Sequence, residues 1–349
     1  MTQGERLMAS TAAPPARRVK KRVRNETAVA YLFLSPYLLV TVVFTVGIVA
    51  FALYISFTSY NLFESPTWVG LENYRKALAD TGPSGFLRSL VNVFWYVITV
   101  VPFQTAIALM LAIVLNTPVR AQQFFRTVFY GPSVTSSVVI ASIFLWLYLK
   151  TGVINYVFDQ TFSLFGAQWT AIEWLNDPRG LFQIIANAFG GDIPSDQWLF
   201  RGPSVTWLAL MALNIFTTAP TFMIMYLAAL QDVPPTLYEA ASIDGASKRQ
   251  QFRSITLPML RPVTLLIVVL GTIGSFQVFD QVKILTSGGP LNTTLTPVYL
   301  VYSEALGEVG GGSVIRMGLA SAMAFVLAVI IFIFAFIQRR YIESGTEQY

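Results

Sequence analysis

The chain has 349 residues, of which 54% are hydrophobic and 12% charged, with a formal charge of +5. An ordinary soluble domain carries about 25% charged residues, so this sequence lacks the polar surface that would coat a water-soluble globule. It contains no cysteine and no histidine, which excludes disulfide frameworks, Cys/His zinc sites, thiolate nucleophiles and any His-based triad.

Residues 1–26 mix Ala, Pro, Arg and Lys without an apolar period. They are expected to form a disordered basic tail beside anionic lipid, with no nucleic-acid role. A helix needs about 20 mostly apolar residues to cross the hydrocarbon core. The uncharged stretches predict six such spans, at 29–59, 89–116, 127–149, 204–230, 262–283 and 317–338. The first lies in a stretch free of charge for 37 residues, Thr27 to Phe63. Signal-peptide apolar regions run only about 7–15 residues, so it reads as an anchor.

Residues 150–203 make the longest polar excursion, in which AIEWLNDPRGLFQIIANAF predicts one or two short amphipathic helices at the interface. The run ILTSGGPLNTTLTPVYLVYS, after Lys283, predicts a loop because Gly-Gly-Pro and scattered Thr and Pro punctuate it. Residues 343–349 form a short C-terminal tail. Basic residues mark cytoplasmic segments. Fifteen of the 23 Lys and Arg fall in the N-terminal tail, at Arg120 and Arg126, in 231–262 and at Arg339–Arg340. That places both termini inside. The expected fold is all-α: a polytopic membrane protein with six transmembrane helices and one ordered cytoplasmic loop, 231–262.

That loop reads as a helix–turn–helix. Pro234-Pro235 precede a helix-forming run to Ile243, and Gly245 supplies the residue a sharp turn needs. A second helical pattern covers Ala246 to Ile255, and Pro258 and Pro262 are expected to break the chain before the next span. An exposed short helix with an acidic and a basic end suits docking to another protein.

The residues Glu239, Ala240, Ala241, Asp244, Gly245, Ala246, Phe252, Ile255, Leu257, Pro258 and Pro262 follow the pattern EAAxxDGAxxxxxFxxIxLPxxxP. This resembles the EAA loop of ATP-binding-cassette importer permeases, in the form found in carbohydrate-uptake permeases related to the maltose and glycerol-phosphate transporters. FQVFDQVKILTSGGP, Phe276 to Pro290, is similar to the end of their fifth helix. The resemblance covers about Ala30 to Tyr341. It implies a transport subunit, not an enzyme, in a bacterial-type cytoplasmic membrane. Its partners would be a second permease, two ATPase subunits, an extracytoplasmic sugar-binding protein and membrane lipid. It further implies alternating access driven by the ATPases, with Glu239 meeting a basic ATPase surface. No GxxxxGK[ST] run occurs, so no cofactor is expected on this chain, and ATP and Mg would sit on the partner subunits. Asp244 is expected to cap the turn through its side chain.

Polar residues inside spans face the bundle interior or a wet cavity. Asn214, Thr217, Thr218 and Thr221 share one helix face, and Pro220 frees the Phe216 carbonyl. The resemblance places a sugar site here, and interhelical packing is the alternative. Ser275, Gln277 and Asp280 are similarly placed on the fifth span, with Ser136 and Ser137 on the third. Asp280 has a second reading, pairing with Lys283. Spans four and five hold no Lys or Arg before Lys283 apart from their ends, which favours an uncharged sugar, expected to be a di- or oligosaccharide, over a glycerol-phosphate; a glycerol-phosphate or polyol importer of the same family is the alternative. An ion-driven secondary transporter would want buried carboxylates and inverted repeats, and a membrane-embedded enzyme would want paired carboxylates or a metal set.

Overall fold

A computed structural model describes residues 17–82, 84–117, 121–194, 197, 199–307 and 314–343. It divides into two compact units, Met1–Tyr54 and Ile55–Tyr349. In the first, α1 (Arg17–Val40) continues through a π-helical turn, Thr41–Val46, into α2 (Gly47–Ser56). The expected tail is thus helical from Arg17. Lys and Arg are good helix formers, and lengthening an apolar helix requires no new nucleation. Residues 1–16 and 344–349, where the rest of the two expected tails falls, lie outside the described residues.

The second unit opens with a two-stranded antiparallel pair, β1 (Thr58–Ser59) and β2 (Thr67–Trp68). There follow α3 (Glu72–Ala79), α4 (Phe86–Asn116), α5 (Gln122–Val134), α6 (Ser137–Leu147), α7 (Val153–Leu164), α8 (Leu181–Ala188) and α9 (Val205–Gln231). Beyond them come α10 (Pro235–Ile243), α11 (Lys248–Gln251), a π-helical turn (Phe252–Thr256), α12 (Leu257–Met259), α13 (Arg261–Phe276), α14 (Asp280–Leu285), α15 (Pro297–Leu306) and α16 (Met317–Glu343).

Among the described residues, five helical segments are long and apolar enough to span a bilayer: Thr27–Ser56, Phe86–Asn116, Val205–Gln231, Arg261–Leu285 and Met317–Arg340. The sixth expected span, 127–149, is not one straight helix. It is the pair α5 and α6, bent by 96°. Thr135 (ψ 141°) and Ser136 (ψ 135°) leave the helical region between them. Pro132, three residues earlier, has no N–H to give Val128 O, and hydroxyls bond carbonyls of the last turn: Ser133 Oγ donates to Tyr130 O at 2.8 Å and Thr135 Oγ1 to Gly131 O at 3.0 Å.

A second correction concerns the stretch after Lys283. Only its middle is loop, because α15 follows. Thr296 caps α15 by accepting from Tyr299 N, Pro297 opens it, and Gly307 (φ 76°) closes it. Thr-Pro at the start and Gly at the end are helix signals that the Gly-Gly-Pro run masked. The loop itself is pinned to α4, since Asn92 Nδ2 donates to Asn292 O at 3.0 Å and to Leu295 O at 2.9 Å.

The core runs along α4 and α9. Tyr96, Trp207, Leu210 and Phe276 are buried in one half of it, and Ala108, Ala112, Met223 and Ile267 in the other. Small residues on α4 let α9 approach closely, the usual means of packing helices in lipid. Trp207 Nε1 donates to Asn92 O at 2.8 Å, and Tyr148 OH to Ala209 O at 2.7 Å.

At the start of α16, Gly318 lies against Thr58 O, Ile55 O and Asn73 Nδ2. Asn73 in turn donates to Ser56 O and Thr58 O, at 2.9 and 2.8 Å. A Cβ at 318 would overlap this backbone, whereas Gly131 has open space around it. Overpacking costs on the order of 1–3 kcal/mol. Gly318→Ala is therefore expected to lower the thermal midpoint of the detergent-purified protein by several degrees, and Gly131→Ala to leave it nearly unchanged. Equal midpoints would remove this constraint.

Candidate functional site

The loop between the fourth and fifth spans is an exposed, cross-braced helix pair. α10 ends in a backbone-closed turn: Ala246 N donates to Ala241 O at 2.8 Å and Gly245 N to Ser242 O at 3.1 Å, with Gly245 at φ 75°. This six-to-one and five-to-two pairing requires a left-handed residue at position 245, which glycine adopts without penalty. Asp244 makes no side-chain hydrogen bond among the described residues, so the expected side-chain cap is replaced by the backbone one. The next helix starts at Lys248, two residues later than expected, and Ser247 caps it through a capping box: Ser247 N donates to Gln250 Oε1 at 2.7 Å, and Ser247 Oγ accepts from Gln250 N.

Two cross-links hold the helices at a fixed angle. Gln251 Nε2 donates to Ser242 Oγ at 2.9 Å and to Ala246 O at 3.1 Å, and Tyr238 OH meets Thr256 Oγ1 at 2.9 Å. Gln251 is buried; sequence reasoning passed it over because a lone Gln in a basic run reads as solvated. Glu239 and Ala240 are exposed, Ala241 and Phe252 half-buried. Ile243, at the tip of α10, is 87% exposed. An apolar residue so placed was also missed, and its signal is the β-branched hydrophobe just before the turn.

The prolines do not break the chain. The π-helical turn Phe252–Thr256 precedes Pro258, and Leu257 N reaches back to Phe252 O. That wider turn makes room for a residue that has no N–H and crowds the preceding carbonyls. Pro262 stands in the first turn of α13, where its missing N–H is harmless. From Lys248, the chain therefore passes through Leu257 and Pro258 into the fifth span with little interruption.

A cavity of about 280 Å³ opens where the bent pair meets α9 and α14, lined by Ser133, Thr135, Ser137, Thr217, Thr218, Thr221 and Gln281 among its polar residues. Three of the four expected residues on α9 thus reach one wall. Asn214 does not line it, but its carbonyl accepts from Thr217 Oγ1 at 2.9 Å and Thr218 Oγ1 at 2.8 Å. Thr218 also donates to Gln104 Oε1 on α4 at 2.7 Å, so this one hydroxyl serves both packing and cavity. Ser275 is buried and Gln277 exposed, and neither lines the cavity. Asp280 is not paired with Lys283: its Oδ2 accepts from Ser137 Oγ at 2.6 Å, while Lys283 Nζ lies 4.9 Å from the centre of the Tyr302 ring. Ser136 makes the bend itself.

Among the described residues, the polar excursion between the third and fourth spans holds two helices. The expected amphipathic helix appears as α8, and α7 precedes the stretch in which it was expected. Asn155, buried, donates to Leu149 O, Lys150 O and Ile172 O and accepts from Trp169 Nε1 and Ile172 N. The Trp169 ring stacks on Phe158 at 4.8 Å. Asp177 is tied to the start of α9, where Thr206 Oγ1 donates to Asp177 O at 3.0 Å, and it accepts Arg179 Nε at 2.9 Å. No group of three or more potential metal ligands occurs among the described residues.

Residues 77–344 match the family described as binding-protein-dependent transport system inner membrane component. The chain belongs to this family. It is 31% identical over 319 residues to the "Probable ABC transporter permease protein YesP" of Bacillus subtilis, covering 90% of this chain and 91% of that protein. It is 30% identical over 317 residues to the arabinooligosaccharides transport system permease protein AraP of Halalkalibacterium halodurans, covering 90% and 87%. Among solved structures, a bacterial ABC transporter involved in the import of the acidic polysaccharide alginate matches with a TM-score of 0.69, at 20% identity, over 94% of this chain and 99% of that one. The chain is thus a multi-pass inner-membrane transport subunit and not an enzyme.

Burial pushes the Asp177 carboxyl up, but the hydrogen bonds and charge of Arg179 outweigh it, and the net shift is downward. Stabilisation from this group is therefore complete above the ordinary carboxyl value, near pH 4, and is lost as pH falls through the lower folded value. Hydrogen-exchange protection over 177–206, relative to the intrinsic rate at each pH, is expected to fall below about pH 4, and at neutral pH in Asp177→Asn. Unchanged exchange in the variant would show that the ion pair does not hold this segment.

Proposed function

We propose that this chain is the permease of an ATP-driven importer for a neutral di- or oligosaccharide, and that α10 to α12 form the element that couples ATPase movement to the membrane pathway. The observation that carries the proposal is the braced helix pair, which holds Glu239, Ala240, Ala241 and Ile243 at its exposed end and continues into α13. Rearrangement of a peripheral ATPase reaches the bilayer only through a stiff element that touches both. This one has fixed geometry from Gly245, Ser247, Gln251 and Tyr238.

In this reading both termini and the braced loop face the cytoplasm. ATP and Mg bind two partner ATPases, a second permease chain completes the channel, and an extracytoplasmic protein delivers the sugar. A sugar is supported by the named solute of a relative such as AraP and by the hydroxyl- and amide-lined cavity, whose Thr217, Thr218 and Thr221 would offer weak, reversible hydrogen bonds of about 0.5–1.5 kcal/mol each. Asn214 would act from behind that wall through its carbonyl, and Ser275 and Gln277 elsewhere on the pathway.

The test uses the assembled importer in proteoliposomes. A β-branched residue at a left-handed position costs on the order of 1–3 kcal/mol, so Gly245→Val should reorient α10, keep membrane levels near normal and cut sugar-driven ATP hydrolysis at least about tenfold. Asn tolerates positive φ, so Gly245→Asn should retain most of it. Glu239→Lys should lose co-purification of the ATPase by charge reversal. Full turnover in Gly245→Val and Glu239→Lys, at normal expression, would sink the coupling assignment.

A further inference from the structure

The cavity has a charge environment of its own. Its polar lining is entirely hydroxyl and amide, with no Lys or Arg among the lining residues. One acidic group stands at its edge. Asp280 is exposed, begins α14 and precedes the lining residue Gln281. Its Oδ2 accepts from Ser137 Oγ at 2.6 Å, and Ser137 itself lines the cavity. The carboxylate is therefore one hydrogen bond from the wall, and Oδ1 makes no hydrogen bond among the described residues. The adjacent cation is turned elsewhere: Lys283 Nζ sits over the rings of Tyr302 and Tyr299, at 4.9 and 5.8 Å from their centres. Held by Ser137 and not in an ion pair with Lys283, the carboxylate stands at the edge of a space walled by low-dielectric helices, where field lines are focused.

We propose that Asp280 is the charge filter of this cavity, admitting neutral polyhydroxylated solutes and repelling uronates and sugar phosphates. The proposal rests on the reading of the cavity as a water-filled solute pathway. A uronate carboxylate or a phosphate would find neither guanidinium nor ammonium on the wall, and would meet a like charge beside it. A neutral saccharide meets donors and acceptors only, and Oδ1 gives it a strong acceptor.

The chain has no native cysteine, which allows a test that needs no knowledge of the sugar. Thr221→Cys puts a thiol on the cavity wall, and Leu164→Cys, on the exposed surface of α7, serves as reference. Both variants are reacted as full-length, membrane-embedded protein with cationic and anionic methanethiosulfonates. The cation-to-anion rate ratio of the cavity thiol, relative to that of the reference thiol, is expected to exceed about threefold, the size of a single like-charge interaction across several ångströms of partly screened water. It should fall to near one in Asp280→Asn or Asp280→Ser, whichever is produced at native level, and persist in Asp280→Glu and Ser137→Ala, which keep the carboxylate. An unchanged ratio in the neutral variants overturns the filter while leaving the pathway intact. A cavity thiol that reacts with neither reagent, while the reference thiol reacts with both, overturns the pathway reading, and the filter with it.

Discussion

A peptide group stripped of water by hydrocarbon must find its hydrogen bond within the protein, and this requirement decides where the chain is free to bend. The long helices meet it over most of their length by helical ladders. Near several interruptions, side-chain hydroxyls or a changed turn lie beside the break. At the 96° bend, Ser133 and Thr135 hydroxyls bond carbonyls of the last turn before the extended Thr135–Ser136 pair. In the turn before Pro220, which itself frees Phe216 O, Thr217 and Thr218 return their hydroxyls to Asn214 O. Before Pro258, a π-helical turn widens the helix instead of breaking it. Two of these three interruptions border the cavity. The backbone departs from regular helix where the space beside it is polar, which is the condition under which irregular backbone is tolerated at membrane depth.

The same economy explains why the face carrying Asn214, Thr217, Thr218 and Thr221 resists assignment to packing or to pathway alone. Thr218 bonds Gln104 on α4, and a Cβ at Gly271 on α13 would strike the Gln104 amide. Glycine at 271 is what lets three helices meet around one buried amide. One turn on, Thr221 faces open space in the cavity. A hydroxyl at each position satisfies both neighbours, so sequence spacing alone does not separate the roles.

The parts legible in the sequence are those that depend on local chemistry. The long apolar runs give their helices because length and hydropathy suffice. The helix–turn–helix of the 231–262 loop is legible because Gly245 has a local duty, a left-handed turn. What was not legible depends on partners distant in sequence. Asp280 looks like a helix-spaced mate for Lys283, yet its partner is Ser137, 143 positions away. α15 hides behind Gly-Gly-Pro because its stability comes from packing on α16 and α4. Gln251 is ordinary until Ser242 and Ala246 O are placed beside it. The bend at Thr135–Ser136 leaves only Pro132 as a trace, and a proline alone does not reveal whether a membrane helix kinks or stops.

These contacts also connect the two sites through a single chain segment. The braced loop leads through α11, the π-helical turn and α12 into α13, and a short break at Gln277–Phe279 separates α13 from α14, whose Gln281 lines the cavity. At that end, the Asp280–Ser137 hydrogen bond reaches across to α6, the second half of the bent pair. Within the proposed function, a displacement of α10 by a docked ATPase would arrive at the cavity through α14 and pass to the bent pair through one charge-assisted bond. Such a route needs stiffness along its length and compliance at its ends. The Gln251 and Tyr238 braces provide the stiffness, and the extended Thr135–Ser136 pair provides the compliance. Within the proposed function, the residue that sets the charge of the cavity is also the residue that ties its moving walls together, so Ser137→Ala should separate the two duties: charge selectivity is retained while coupling between solute and ATP hydrolysis weakens.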